Sequence, residues 1–157
     1  MTQSLIAKST LCAIVCVILG FLSGILSGSG NTEWYQNLNM PSFQPPSWIF
    51  GPMWTLLYIL MGIAAARVWQ KSDRGLQSSA IRLFVIQMVL NLAWSPIFFG
   101  MKEPLIALVV IVVMWLLILL TIISFSKVDK LASYLLVPYI SWVSFATILN
   151  ASVVYLN

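Results

Sequence analysis

Aromatic and amide side chains recur at helical spacing in three apolar stretches of this chain, and they are the groups best placed to do chemistry. The three sets are Trp54 with Tyr58, Gln87 and Asn91 with Trp94 and Phe98, and Tyr139 with Trp142 and Ala146. Residues three or four apart share a helix face, so each set forms one stripe. If the stripes converge, their aromatic walls and few amides suit a large, flat, mostly apolar ligand. Core packing gives the same stripes, so both interpretations stay open.

Acid–base and metal chemistry have few candidate residues. The chain has no histidine, which removes the commonest general base and metal ligand. The acids all fall outside the long apolar segments, and they are Glu33, Asp73, Glu103 and Asp129. Cys12 and Cys16 share one face of an apolar helix, where small buried thiols are more typical than a metal site or a disulfide. We therefore expect no metal site and no required cofactor, and hydrolytic and proton-coupled mechanisms are disfavoured.

The composition identifies the medium in which these side chains lie. Of the 157 residues, 61% are hydrophobic and 8% are charged, whereas a soluble domain is about 45–50% apolar and about 25% charged. Such a chain cannot cover a water-facing surface, so we predict an integral membrane protein. The net charge of +4 comes from 8 Lys and Arg against 4 Asp and Glu. Because the basic residues fall at helix ends, we attribute them to orientation in the lipid bilayer and expect no nucleic-acid partner.

The length of the chain allows five transmembrane helices, because each span takes about 20 residues. We therefore predict a single all-α domain over residues 1–157 that is a bundle of five transmembrane helices. The predicted helices cover about 5–27, 47–69, 79–99, 104–125 and 131–156. A cleaved signal peptide is the alternative for the first of them. The loop 28–46 carries aromatics and rigid prolines, so we expect a lid that folds onto the helices, with Thr32 capping a short helix around Glu33–Leu38. The expected kink positions are Pro52, Pro96 and Pro138.

The basic residues also predict an orientation. With five spans, one side holds seven of them and the other side holds Lys102; the seven are Lys8, Arg67, Lys71, Arg74, Arg82, Lys127 and Lys130. By the positive-inside rule the N-terminus faces the cytoplasm, and the lid loop and C-terminus face out. We expect a bacterial cytoplasmic membrane, with the outer membrane as the alternative. Gly20, Gly24 and Gly28 form a repeat that allows close helix approach, either within the chain or across a homodimer.

Three ordered motifs carry a family resemblance. The first runs from Trp34 to Tyr58 and includes Trp34-Tyr35, Met40-Pro41-Ser42-Phe43, Pro45-Pro46 and Trp48-Ile49-Phe50-Gly51-Pro52-Met53-Trp54-Thr55. The second is Asn91-Leu-Ala-Trp94-Ser-Pro96-Ile-Phe98-Phe99-Gly100, and the third is Val137-Pro138-Tyr139-x-x-Trp142-x-x-Phe145-Ala146-Thr147-x-Leu149-Asn150. In this order they resemble the signatures of the TspO/translocator protein family, the tryptophan-rich sensory proteins also called peripheral-type benzodiazepine receptors.

The resemblance implies a five-helix bundle, often a homodimer, that binds protoporphyrin IX or haem and ligands of the benzodiazepine-receptor type. The pocket positions that it carries over are Tyr35, Trp48, Phe50, Trp54, Asn91, Trp94, Tyr139, Trp142, Phe145, Ala146 and Leu149. Trp54 and Trp142 match tryptophans linked to light-dependent porphyrin breakdown in some members. We therefore expect a tetrapyrrole-binding protein that senses, transports or turns over porphyrins. The alternatives are a light-dependent porphyrin-degrading enzyme, a sterol or small-molecule transporter, and a membrane interaction partner.

Some positions depart from the family pattern. Phe43 stands where a tryptophan is usual, and Met40 stands where a lysine is usual. Sterol binding is reported mainly for animal members, and its sequence pattern needs a basic residue after the tyrosine. No basic residue follows Tyr155, so the pattern is incomplete at this end. Without histidine, we expect recognition of the porphyrin ring instead of an axial bond to its metal.

Overall fold

The computed structural model describes residues 3–28 and 32–157, and these are almost entirely helical. Seven α-helices follow one another: α1 Gln3–Ser27, α2 Glu33–Gln36, α3 Phe50–Lys71, α4 Ser79–Ser95, α5 Pro104–Ser126, α6 Lys130–Leu135 and α7 Val137–Leu156. Five segments are long and apolar enough to cross a membrane: Gln3–Ser27, Ser47–Lys71, Ser79–Gly100, Pro104–Ser126 and Lys130–Leu156. The predicted all-α fold class with five spans is therefore confirmed.

The three prolines in the apolar segments lie at element boundaries. Pro52 is in the first turn of α3, directly after a 3-10 turn at Ser47–Ile49, so it removes no hydrogen bond from within α3. The first turn of a helix tolerates proline because its N–H groups have no intrahelical acceptor. Pro96 opens a π-helical stretch, Pro96–Gly100, that continues α4. Pro138 is the second residue of α7, after a break at Leu136 that separates α7 from α6.

Helix α1 packs along α3, and two glycines permit the close approach. A Cβ atom added at Gly62 would overlap the backbone of Ala13, and one added at Gly20 would overlap the ring of Tyr58. Small residues let membrane helices approach to backbone contact. Gly20, the first glycine of the repeat in α1, therefore serves a contact within the chain.

An ion-paired cluster ties the helices together at one end of the bundle. The carboxylate of Asp129 lies 2.8 Å from Arg67 and 3.0 Å from Lys71, and it also accepts a 2.9 Å bond from the Leu131 N–H at the start of α6. Burial alone would raise the pKa of Asp129, but the hydrogen bond from Lys71 and the charge of Arg67 outweigh it, and the pKa stays below its ordinary value. We call this end, with Lys71 of α3 and Lys130 of α6, the basic end.

The connection between α1 and α3 folds back onto the opposite end of the bundle. The Thr32 hydroxyl caps α2 by accepting from the Tyr35 N–H at 3.3 Å, as the sequence predicts. The Asn157 side chain accepts from the Asn39 N–H at 2.9 Å and donates to the Asn39 carbonyl at 3.1 Å. Phe43 lies against Phe145 of α7, with ring centroids 6.3 Å apart. We call residues 32–46 the lid; residues 29–31 of the predicted loop lie outside the described residues.

The α1–α3 contact gives a first prediction. Gly62→Ala places a methyl group against the backbone of Ala13, and overpacking of this kind costs about 1–3 kcal/mol, so we expect a melting temperature several degrees lower in detergent. Gly51→Ala is the matched control on the same helix, because nothing lies within 4 Å of a Cβ there. Thermal unfolding of the purified protein measures both. Equal stability of the two variants would contradict the proposed close approach.

Candidate functional site

A cavity of about 580 Å³ lies between α1, α3, α4 and α7, beneath the lid and away from the basic end. None of its lining residues in the described part of the chain is charged. Eight of the residues that the family resemblance selects lie on its wall: Tyr35, Phe50, Trp54, Asn91, Trp94, Trp142, Ala146 and Leu149. The aromatic stripes of three separate helices therefore converge on one space.

Three residues that the resemblance selects do not lie on this wall. Trp48 is in the turn before α3, and 73% of its surface is exposed. Tyr139 is completely buried behind the wall. Phe145 packs against Trp142, with ring centroids 5.5 Å apart, and against Phe43 of the lid.

A chain of buried hydrogen bonds runs from the cavity wall into the core of the bundle. The Tyr58 hydroxyl donates to Asn91 Oδ1 at 2.6 Å, and Asn91 Nδ2 donates to the Tyr139 hydroxyl at 2.8 Å. The Tyr139 hydroxyl in turn donates to Gln87 Oε1 at 2.7 Å. The chain joins α3, α4 and α7, and it engages both polar atoms of the Asn91 amide. Asn91 therefore holds the wall in place in addition to presenting a polar group to the cavity.

The tryptophans of the wall are oriented by their neighbours. Trp54 stacks on Tyr58, with centroids 5.6 Å apart and planes 30° apart. Trp94 stacks on Phe98 at 5.0 Å, and its indole N–H donates to Asn150 Oδ1 at 3.1 Å. Trp142 lies edge-on to Phe50 at 5.8 Å. Aromatic pairs at such distances are stabilising and geometrically specific, so these contacts orient the indoles of the wall.

The indole nitrogen of Trp142 is a buried donor that has no hydrogen-bond partner among the described residues. An unpaired buried N–H is costly, and it is satisfied by an acceptor that can reach it. Trp142 also lines the cavity. The wall thus offers flat aromatic faces to the cavity, while the Trp142 N–H itself is buried.

Sequence reasoning missed the contribution of α1 to this site. Phe21, Gly24 and Ile25 all line the cavity, and the Ser27 hydroxyl lies 2.8 Å from that of Ser95 on α4. The stretch is uniformly apolar with scattered small residues, so the sequence offers no aromatic or amide marker of a binding face. The glycine repeat was the available signal, because a stripe of small residues leaves space beside a helix.

The chemistry available at this site is binding by shape, stacking and a few hydrogen bonds. No group of three or more His, Cys, Asp or Glu side chains lies close enough to hold a metal ion within the described ranges 3–28 and 32–157. The described residues of the wall carry no charge, so they supply no general acid or base of ordinary strength.

Comparison with known proteins agrees with the three motifs. The sequence profile of the TspO/MBR family matches residues 12–156. Tryptophan-rich protein TspO of Chlorobaculum tepidum is 44% identical over 151 residues, or 94% of each chain. Tryptophan-rich sensory protein of Cereibacter sphaeroides is 44% identical over 125 residues, which cover 80% of this chain and 77% of that protein. Human translocator protein is 36% identical over 130 residues, which cover 82% and 76%. These matches confirm the resemblance and a multi-pass membrane protein.

The buried hydrogen-bond chain gives a second prediction. Tyr139→Phe removes the hydroxyl that pairs with both Asn91 and Gln87, and we expect the free energy of unfolding in detergent to fall by about 1–2 kcal/mol. Tyr134→Phe is the control for the loss of a hydroxyl, because Tyr134 is mostly exposed on α6. Denaturant titration followed by circular dichroism measures the difference. A loss of the same size in both variants would show that the chain contributes nothing specific.

Proposed function

This chain belongs to the TspO/MBR family, and from that premise we propose that its cavity binds a tetrapyrrole, protoporphyrin IX or haem. The protein would then act in porphyrin sensing, transport or turnover within the membrane. The observation that carries the proposal is the uncharged cavity of about 580 Å³ with three tryptophans on its wall. Ligands of the benzodiazepine-receptor type, which are also flat and apolar, would share the same space.

Size and surface chemistry support a flat macrocycle. Pockets for small molecules and cofactors span about 300–1,000 Å³ and are mostly apolar with a few placed polar groups. The indoles of Trp54, Trp94 and Trp142 supply faces on which a conjugated ring can stack. Recognition would therefore be directed at the ring and not at a bound metal.

The ends of a porphyrin that carry carboxylates set its orientation. An ionised carboxylate is very costly to bury without a charged partner, and the wall has no cation among the described residues. The two propionate groups would therefore stay at the lid end, at the membrane–water interface, while the macrocycle enters between the helices. The lid residues Tyr35 and Met40 lie on that part of the wall.

The charge distribution supports an orientation in the membrane. The basic end carries Arg67 and Lys71 of α3 and Lys130 of α6, and an excess of basic residues marks the cytoplasmic side. The lid and the cavity would then face the outside of a bacterial cytoplasmic membrane. Ligand would reach the site from that side or from the outer leaflet.

Light-dependent breakdown of the porphyrin is the enzymatic alternative, and it uses the same cavity. Both tryptophans that the resemblance connects with it, Trp54 and Trp142, lie on the wall, where an indole can exchange an electron with an excited ring. A new absorbing product that forms only in the illuminated complex and is lost with Trp142→Phe would favour this alternative. Equal bleaching of free and bound porphyrin would oppose it.

The proposal predicts saturable binding that depends on the wall. In detergent, titration with protoporphyrin IX should quench tryptophan fluorescence to a plateau, and Trp54→Leu/Trp142→Leu should weaken the affinity roughly tenfold or more, because two stacking faces are lost. Trp69→Leu is the matched control, because Trp69 lies at the basic end and not on the cavity wall. The Lys8 Nζ atom lies 4.8 Å from the centroid of its ring. Absence of saturation, or an affinity unchanged in the double variant, would refute this pocket.

The uncharged wall predicts tolerance of a neutral ligand. Because the propionates stay at the interface, protoporphyrin IX dimethyl ester should bind within about threefold of the free diacid, a difference of less than 1 kcal/mol. The same fluorescence titration measures both ligands, and the dependence on Trp54 and Trp142 is the control for a shared site. Strong preference for the diacid would show that the carboxylates are held by cations, which would place the ligand elsewhere.

A further inference from the structure

A second cavity, of about 500 Å³, lies at the basic end of the bundle, at the opposite ends of α3 and α4 from the tryptophan-lined cavity. Its wall comes from the end of α3, the loop that follows, the start of α4 and the end of α5. These elements are far apart in the sequence and meet only in the folded protein. We call this space the basic cavity.

The basic cavity is cationic. Lys71, Arg74 and Lys127 lie on its wall, and Asp73 is the one acid among its described lining residues. Lys71 shares the carboxylate of Asp129 with Arg67, so that triad keeps one positive charge after pairing. The side chains of Arg74 and Lys127 are exposed and make no ion pair in the described part of the chain. The cavity therefore has an excess of positive charge available to a ligand.

Hydroxyl groups and a helix start complete the wall. Ser72, Ser79 and Ser124 line the cavity beside the cations. Helix α4 begins there, and the Ser78 hydroxyl accepts from the Ile81 N–H at 3.3 Å, while the N–H groups of Ser79 and Ala80 have no acceptor within the helix. Cations, hydroxyls and a helix N-terminus are the groups that bind phosphate oxygens in proteins.

The position of the cavity along the membrane normal selects the source of the phosphate. Its wall lies where three spans end: one span finishes at Lys71, one begins at Ser79 and one finishes at Ser126. Residues at the ends of spans lie at the depth of lipid head groups. Basic pockets between helices on the cytoplasmic side bind anionic lipid head groups. We propose that the basic cavity binds the phosphate of an anionic phospholipid.

Lipid titration of the intact protein tests this. Native mass spectrometry of the full chain in detergent should show tighter binding of phosphatidylglycerol than of phosphatidylcholine. Arg74→Gln/Lys127→Gln should weaken the phosphatidylglycerol affinity by on the order of tenfold, because two charges at the head group are lost. Arg82→Gln/Lys130→Gln is the matched control: both residues are exposed, and the pair removes the same charge from the same end without touching the cavity wall.

The outcomes distinguish a specific site in the basic cavity from general electrostatic attraction of anionic lipid to the basic end. Equal weakening in the two double variants would overturn the proposal, since only the net charge of the basic end would then matter. Binding of inorganic phosphate with no preference for phosphatidylglycerol would also overturn it, because the lipid would not be the source. Trp54→Leu/Trp142→Leu should bind phosphatidylglycerol as the unaltered protein does, so failure of porphyrin binding leaves this test intact.

Discussion

A polar side chain buried in the membrane part of this bundle is stabilised by partners inside the protein, because hydrocarbon offers no water to take their place. The chain of hydrogen bonds from Tyr58 through Asn91 and Tyr139 to Gln87 is the clearest result of this constraint. It fixes the rotation of three helices about their own axes. That rotation decides which aromatic faces point into the cavity, so the wall depends on Tyr139 and Gln87 behind it as well as on Tyr58 and Asn91, which line it.

The general architecture can be predicted from the sequence because the membrane limits the options so strongly. The excess of apolar residues identifies the class of protein, and breaks in the apolar runs define five spans. The convergence of Trp54, Trp94 and Trp142 follows from helical spacing once a resemblance links the three stripes. Spacing alone does not decide between a pocket and a packed core, because both need aromatic residues on an inward face.

Other features depend on the rotation of each helix about its axis and on local backbone geometry, which cannot be predicted from residue spacing. Tyr139 and Trp142 are three residues apart on one face, yet Trp142 lines the cavity and Tyr139 lies behind it. The α1 wall around Phe21 has no polar marker, so its apolar pattern predicts only a span. In the sequence, Pro52 lies within a long apolar run and therefore predicts a kink. In the structure, α3 begins at Phe50, so Pro52 lies in the first turn of that helix.

Because the described wall of the tryptophan-lined cavity carries no charge, the apparent affinity of a ligand for this cavity depends on the lipid around the protein. An apolar molecule that enters this cavity from the outer leaflet is already dissolved in lipid, so its transfer to the protein gains little from leaving water. The bilayer acts as a competing solvent, and occupancy depends on the mole fraction of ligand in the membrane more than on its aqueous concentration. Selectivity must then come from the fit of a ligand to the flat faces of the indoles on the wall. Dilution by added lipid should lower apparent affinity without any change in the protein.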